Sequence, residues 1–230
     1  MRIGVPFVVA ALLVSAAPAA WSAAGNSMPS SNMPSNMEAP REVTPEERAR
    51  QAYNSGVRTV KKADKYDETA AKATDPRKKE KAEKEAQERY GDALAKFELA
   101  VQSNPSLFEA WNYVGYTKRK LGNYDAALEA YDKALKLKPS YPEAIEYRGE
   151  AFLRLKRLDD AKQAYLDLFA GNRALADKLL GSMKTWLDTQ RSAGADPASV
   201  EEFSKWVAER SQIAGQTAAL TREGAGASWR

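Results

Sequence analysis

The sequence predicts an all-α protein in which helical hairpins stack side by side into a solenoid. Three observations support this fold class. Apolar residues recur at helical spacing through most of residues 45–221. Small and aromatic residues recur 34 positions apart, as in the pairs Gly115 and Gly149, and Tyr131 and Tyr165. Residues that start or end helices separate the amphipathic segments.

Residues 1–24 predict a secretory signal peptide. Arg2 precedes an apolar run from Ile3 to Val14, and small residues follow as far as Ala24. The run is shorter than a membrane-spanning helix requires, although a retained anchor remains the alternative. Cleavage near Ala24 would leave a mature chain with no stable membrane span. We therefore predict an exported protein, either periplasmic or secreted.

Residues 25–44 predict a disordered linker, because they are rich in Ser, Asn, Met and Pro and show neither a helical nor a strand period. The alternative is a soft-metal site at Met28, Met33 and Met37, since exported Met-rich segments can bind Cu(I) through thioethers. The linker interpretation requires no metal. We therefore predict no cofactor and no metal site.

The composition argues against most enzyme classes. The chain contains no cysteine and no histidine, which excludes thiol nucleophiles, imidazole bases, disulfides and the usual zinc sites. No phosphate-binding loop or nucleophile elbow occurs, so we predict no catalytic residues. An exported chain without disulfides is more typical of a bacterial envelope than of eukaryotic extracellular modules.

The charge distribution does not favour nucleic-acid binding. The formal net charge is only +4, because 35 basic residues are nearly balanced by 31 acidic ones. The basic residues of segment 77–89 alternate with glutamates and lack interleaved aromatic residues. We therefore predict no nucleic-acid partner.

The first predicted helix begins at Thr44. Pro45 suits the first helical position, and Glu47 can close a capping box with the threonine. Small and apolar residues on one face then predict a helix over 44–64.

An insertion follows this helix. Gly56 and Ala93 lie 37 residues apart, whereas Gly115 and Ala127 lie 12 apart, so about 25 residues have been inserted. A second start signal and an apolar stripe predict a helix over 76–103, roughly 40 Å long. Part of that helix should project beyond the repeats. It is either a docking arm or a solvated helix held by Lys/Glu pairs.

The clearest repeat is segment 108–141. Its characteristic residues, in order, are Trp111, Gly115, Leu121, Gly122, Tyr124, Ala127, Tyr131, Ala134 and Pro139. This order and spacing resemble the tetratricopeptide (TPR) repeat, a 34-residue helix–turn–helix unit. Small residues such as Gly115 should allow the two helices to approach closely. Segment 142–172 resembles a second clear repeat, and segment 45–107 resembles a degenerate, split one.

The C-terminal part departs from the repeat. Residues 173–221 predict a capping helical hairpin that covers the last apolar face of the solenoid. Residues 222–230 predict a disordered tail.

The resemblance implies a concave surface lined by the first helix of each repeat. It assigns partner binding there to seven residues: Glu109, Asn112, Tyr116, Arg119, Glu143, Glu146 and Glu150. TPR proteins that grip chaperone C-terminal carboxylates need Lys and Arg on a later first helix, where this chain has Glu143 and Tyr147. That particular role is therefore not predicted.

Together these features predict a non-catalytic scaffold or adaptor of the bacterial cell envelope. It would bind a protein or peptide partner as a monomer or weak homodimer. The alternative is an envelope hydrolase, or its accessory subunit, that uses groove carboxylates. Glu143, Glu146 and Glu150 share one helix face, and paired carboxylates can perform acid/base chemistry.

Overall fold

The computed structural model describes residues 42–194 and 196–226. Within these ranges the chain is helical and contains no strand, which confirms the all-α fold class. The helices are α1 (Pro45–Lys72), α2 (Pro76–Ser103), α3 (Phe108–Lys120), α4 (Tyr124–Leu137), α5 (Pro142–Arg154), α6 (Leu158–Gly171), α7 (Arg173–Ser192) and α8 (Pro197–Gly226). None of these helices is both long and apolar enough to cross a membrane.

The helices pack as successive hairpins. Short loops join α1 to α2, α3 to α4, α5 to α6, and α7 to α8, and the two helices of each pair contact each other. In addition, α1 contacts α3, α3 contacts α5, and α5 contacts α7. The first helices of the hairpins therefore form a layer of their own. We call the face of this layer the first-helix surface.

The predicted start of α1 is confirmed in detail. The Thr44 hydroxyl accepts a hydrogen bond from the Glu47 N–H at 3.1 Å, and the Glu47 carboxylate accepts one from the Thr44 N–H at 3.0 Å. This reciprocal pair is the capping box, and it satisfies two backbone donors that have no partner within the helix.

Glycines mark the closest helix contacts. A Cβ atom added to Gly56 would lie 2.6 Å from the Phe97 ring, and one added to Gly115 would lie 2.5 Å from the Tyr131 ring. Both rings are fully buried. The prediction that Gly115 lies at a close helix contact is therefore confirmed.

The inserted residues do not form a lone projecting helix. The prediction that α1 ends near Asp64 is wrong, because α1 continues to Lys72 and pairs with the start of α2. The insertion thus lengthens both helices of the first hairpin. Small side chains on the two helices are buried at the start of this extension and along it: Ala63, Ala70, Ala82 and Ala86.

A hydrogen-bonded network joins the lengthened part of α1 to α2 and α3. The Tyr90 hydroxyl lies 2.7 Å from Asp64 and 2.8 Å from Asp67, so its single proton is shared between two carboxylates. The Tyr116 hydroxyl donates to Asp64 at 2.7 Å, and Lys120 forms an ion pair with Asp67. Because these carboxylates have partners on α2 and α3, they hold the extension against the second hairpin.

The last two helices form the C-terminal end of the described fold. α7 packs against both α5 and α6, and α8 packs against α7. Their apolar residues, among them Leu179, Met183 and Phe203, share one core with Tyr131 and Phe152 of the preceding hairpins. This shared core makes α7 a continuation of the first-helix layer.

Several predicted segments are not tested by this structure. The signal peptide, residues 25–41 of the linker and the three methionines within it lie outside the described residues. At the other end, α8 continues to Gly226, so the prediction that a tail begins at residue 222 is wrong for residues 222–226. Residues 227–230 lie outside the description.

Candidate partner-binding surface

Four tyrosines line the first-helix surface. Tyr113 and Tyr116 lie three residues apart on one face of α3, and Tyr147 recurs on α5, 34 residues after Tyr113. The ring centroids are 5.7 Å apart for Tyr53 and Tyr113, 6.1 Å for Tyr113 and Tyr116, and 5.0 Å for Tyr116 and Tyr147. We call these four residues the tyrosine ladder. They give α1, α3 and α5 a continuous aromatic strip.

The hydroxyls of this region remain protonated at neutral pH. Burial, together with the nearby Tyr113 and Glu109, raises the pKa of Tyr53 to about 12. Tyr141, at the start of α5, has a raised pKa because of burial and the Glu143 carboxylate. The ladder therefore presents neutral hydroxyls beside two acidic side chains.

Three of the seven predicted binding residues lie on or beside the ladder. Tyr116 is a member of it, Glu109 is half-buried, and Glu143 is exposed. Their contribution to partner binding stays a prediction.

Two other predicted residues are not accessible. Asn112 is 2% exposed and Glu146 is 0% exposed, so neither is offered on an open groove. Glu146 is covered because α7 packs on this part of α5, where a Cβ atom on Gly149 would lie 2.6 Å from Leu179. The prediction that Glu146 belongs to an exposed surface is therefore wrong.

The remaining two, Arg119 and Glu150, belong to a charged network that ties α3, α5 and α7 together. Arg119 Nη1 lies 2.7 Å from Glu150 Oε2, and the Ser182 hydroxyl donates to Glu150 Oε1 at 2.8 Å. One turn earlier on α5, Glu146 Oε2 accepts from Lys178 Nζ at 3.0 Å. Both carboxylates thus already have partners within the protein.

The network shifts the titration of its members. Burial, aided by the neighbouring Glu150, raises the pKa of Glu146 to about 7, although Lys178 and Arg119 act in the opposite direction. Burial is the largest single effect and lowers the pKa of Arg119, but Glu150, Tyr131 and Tyr116 together outweigh it, so the net shift is upward. Arg119 is therefore charged at any physiological pH, whereas Glu146 is close to half-ionised at neutrality.

Sequence reasoning missed the two α7 residues of this network, Lys178 and Ser182. The 34-residue phase is lost from Arg173 onwards, so the sequence predicts only a cap for α7. A signal was nevertheless present. Lys178 and Ser182 are four residues apart, as are Glu146 and Glu150, so two helices side by side can pair them in register.

Next to this network, between α5 and α7, lies a cleft of about 460 Å³. Its charged lining residues are Arg119, Glu150, Arg154, Lys156 and Lys178. Within the described part of the chain, Arg154 and Lys156 have no ion-pair partner, and both are exposed. The cleft therefore carries an excess of positive charge.

The hairpins stack so that their first helices form one layer, and this layer presents aromatic and charged side chains. Such an arrangement defines the class of helical-repeat binding scaffolds. A family model described as a TPR repeat matches residues 115–156. Residues 115–156 therefore contain a TPR repeat, as the sequence predicted for this part of the chain. Proteins of this class act through protein–protein interaction and are typically non-catalytic.

The first TPR of Spaghetti (RPAP3), bound to an HSP90 peptide of sequence SRMEEVD, is 18% identical to this chain with a TM-score of 0.42. The match covers 62% of this chain and 96% of that one. No curated protein matches the sequence.

Proposed function

We propose that this protein is an adaptor of the bacterial cell envelope that holds an extended segment of a protein partner against the tyrosine ladder. The observation that carries the proposal is the run of four half-buried tyrosine rings across three consecutive first helices. Tyrosine supplies a large contact area with few rotatable bonds, and its hydroxyl can bond to a peptide backbone. The acidic side chains Glu109 and Glu143 beside the ladder favour a segment with basic residues.

The hydrolase alternative receives no comparable support. Glu146 has no exposed surface, and both oxygens of Glu150 are bound by Arg119 and Ser182. A general acid must be within hydrogen-bond reach of its substrate, directly or through one water. The buried pair is better explained as a link between α5 and its neighbouring helices.

Charge reversal at Glu143 should reduce partner capture. Glu143→Lys places a cation beside the ladder, where it would repel the basic segment, and we expect several-fold lower recovery of specific partners. The side chain is exposed, so stability should change by less than about 0.5 kcal/mol. The measurement is affinity capture from an envelope extract, with quantitative mass spectrometry of the captured proteins.

The matched control is Glu129→Lys, an equal charge change at an exposed position on α4, the second helix of the preceding repeat. It should recover partners as the wild type does. Equal capture by all three proteins would contradict a role for the ladder.

The envelope location has its own test. Because residues 1–24 carry the features of a signal peptide, the mature protein should begin near Gly25. Mass spectrometry of the periplasmic or secreted fraction would show this new N-terminus. Recovery of only the uncleaved chain from the cytoplasm would show that the protein is not exported.

A further inference from the structure

We infer that the cleft between α5 and α7 binds an acidic segment of the protein partner, one that carries two or more carboxylates. The inference rests on the proposed function and specifies the chemistry of one part of the partner. It is distinct from the ladder, where Glu109 and Glu143 favour basic residues. A partner with separate basic and acidic stretches would therefore bind in one direction only.

The charges of the cleft favour an anionic ligand. Four cations and a single carboxylate line it. That carboxylate, Glu150, is already bound on one oxygen by Arg119 and on the other by Ser182. Arg154 and Lys156 have no ion-pair partner within the part of the chain that the structure describes. A ligand with several negative charges would supply the missing partners.

The hydroxyl groups argue against a neutral ligand such as an uncharged sugar. Ser182 donates to Glu150, Thr185 donates to the Gly181 carbonyl at 3.1 Å, and Thr189 donates to the Thr185 carbonyl at 2.8 Å. The hydroxyl protons on this side of the cleft are thus already used. Besides the Gln190 amide, the donors that remain for a ligand are chiefly Arg154 and Lys156, and such cationic groups prefer carboxylates.

The backbone at Lys156 is a second, independent observation. This residue has φ 57°, in the left-handed region that disfavours residues with a side chain. The equivalent position 34 residues earlier is Gly122, with φ 83°. Lys156 thus occupies the position at which the preceding repeat has a glycine, the residue best suited to this conformation. This conformation ends α5 with the same backbone hydrogen bonds that end α3 at Gly122, and it places an ammonium group at the cleft.

The cleft is also continuous with the ladder. The Arg119 guanidinium lies 5.3 Å from the Tyr116 ring centroid and 5.4 Å from that of Tyr147, and Lys178 Nζ lies 5.0 Å from Tyr147. A segment that follows the ladder from α1 to α5 therefore reaches the cleft directly. The cation–π contacts hold these two cations in place before a ligand binds.

The experiment uses the mature full-length chain and a fluorescein-labelled dodecapeptide of alternating glutamate and serine, with a glutamine–serine peptide of the same length for comparison. Fluorescence polarisation at low salt should show saturable binding of the acidic peptide, at least about tenfold tighter than the glutamine peptide. The double variant Arg154→Glu, Lys156→Gly should weaken binding about tenfold or more. Its thermal midpoint should not fall, because glycine relieves the left-handed conformation at position 156.

The matched control is Arg77→Glu with Lys81→Ala, which changes the net charge equally on exposed positions of α2. It should bind the acidic peptide within about twofold of the wild type. Equal loss in the control would show non-specific attraction by net charge and would overturn the inference. The inference would also be overturned if the wild type and the cleft variant bound the acidic peptide equally well, or if the acidic peptide showed no saturable binding. Binding of citrate without binding of the peptide would overturn it as well. None of these outcomes would change the expected dependence of partner capture on Glu143. The proposal for the tyrosine ladder and the inference for the cleft can therefore fail separately.

Discussion

Gly115→Leu should lower the free energy of unfolding by about 3 kcal/mol. A Cβ atom at this position would already lie 2.5 Å from the Tyr131 ring, and the other leucine carbons would need space that the ring occupies. Tyr131 is fully buried, so it cannot rotate into solvent to make room. Urea denaturation followed by far-UV circular dichroism would measure the change.

The control is the same substitution at Gly91, which lies within α2 and has no atom within 4 Å of its added Cβ. Leucine has the higher helix propensity, so Gly91→Leu should raise stability slightly, by up to about 0.8 kcal/mol. A denaturation midpoint for Gly115→Leu equal to that of the wild type would mean that α3 and α4 are farther apart than in this structure.

Glu146→Gln should remove a distinct pH dependence of stability. The pKa of Glu146 is about 7 in the folded protein, above its ordinary value of 4.5, so the folded state binds the proton more tightly than the unfolded chain does. The stability due to this carboxyl is therefore fully present below pH 4.5 and is lost as the pH rises towards 7. The loss amounts to about 3 kcal/mol at most.

The test compares the urea denaturation midpoints of the wild type and Glu146→Gln at about pH 5 and about pH 8. Most of the stability due to the Glu146 carboxyl is lost between these two pH values. Other carboxylates titrate in both proteins, so only the difference between them reports Glu146. At about pH 8 the denaturation midpoint of Glu146→Gln should be higher than that of the wild type, and at about pH 5 the difference should be smaller. The control is Glu143→Gln, at an exposed position on the same helix, and its denaturation midpoints should equal those of the wild type at both pH values. Parallel curves for Glu146→Gln and wild type would contradict a buried, proton-binding Glu146.

The features that sequence could predict are those with a local physical cause. Thr44 and Glu47 lie three residues apart, so their capping box follows from helix geometry. Gly115 marks a close contact because the repeat spacing places it opposite Tyr131. In such cases a short pattern contains both partners of the interaction.

The features that sequence reasoning missed depend on contacts between distant segments. Glu146 looked like a solvated helical carboxylate, and its burial depends on α7, where the repeat phase is lost. The extension of α1 looked solvated because its buried face consists of alanines among many charges. The polar contacts where it begins, from Asp64 to Tyr90 and Tyr116, span 26 and 52 residues. A local sequence periodicity does not reveal contacts between residues so far apart in the chain.

The bond from Tyr116 to Asp64 gives the ladder a pattern of hydrogen-bond donors and acceptors. Tyr116 gives its proton to Asp64, so towards a partner its oxygen can only accept. Within the described residues, the hydroxyls of Tyr53, Tyr113 and Tyr147 have no such acceptor, and their protons remain available. A peptide backbone lying across the ladder would therefore present a carbonyl to Tyr53, Tyr113 or Tyr147 but an N–H to Tyr116. The extended first hairpin, although remote from the cleft, thus helps to set the register in which a partner binds.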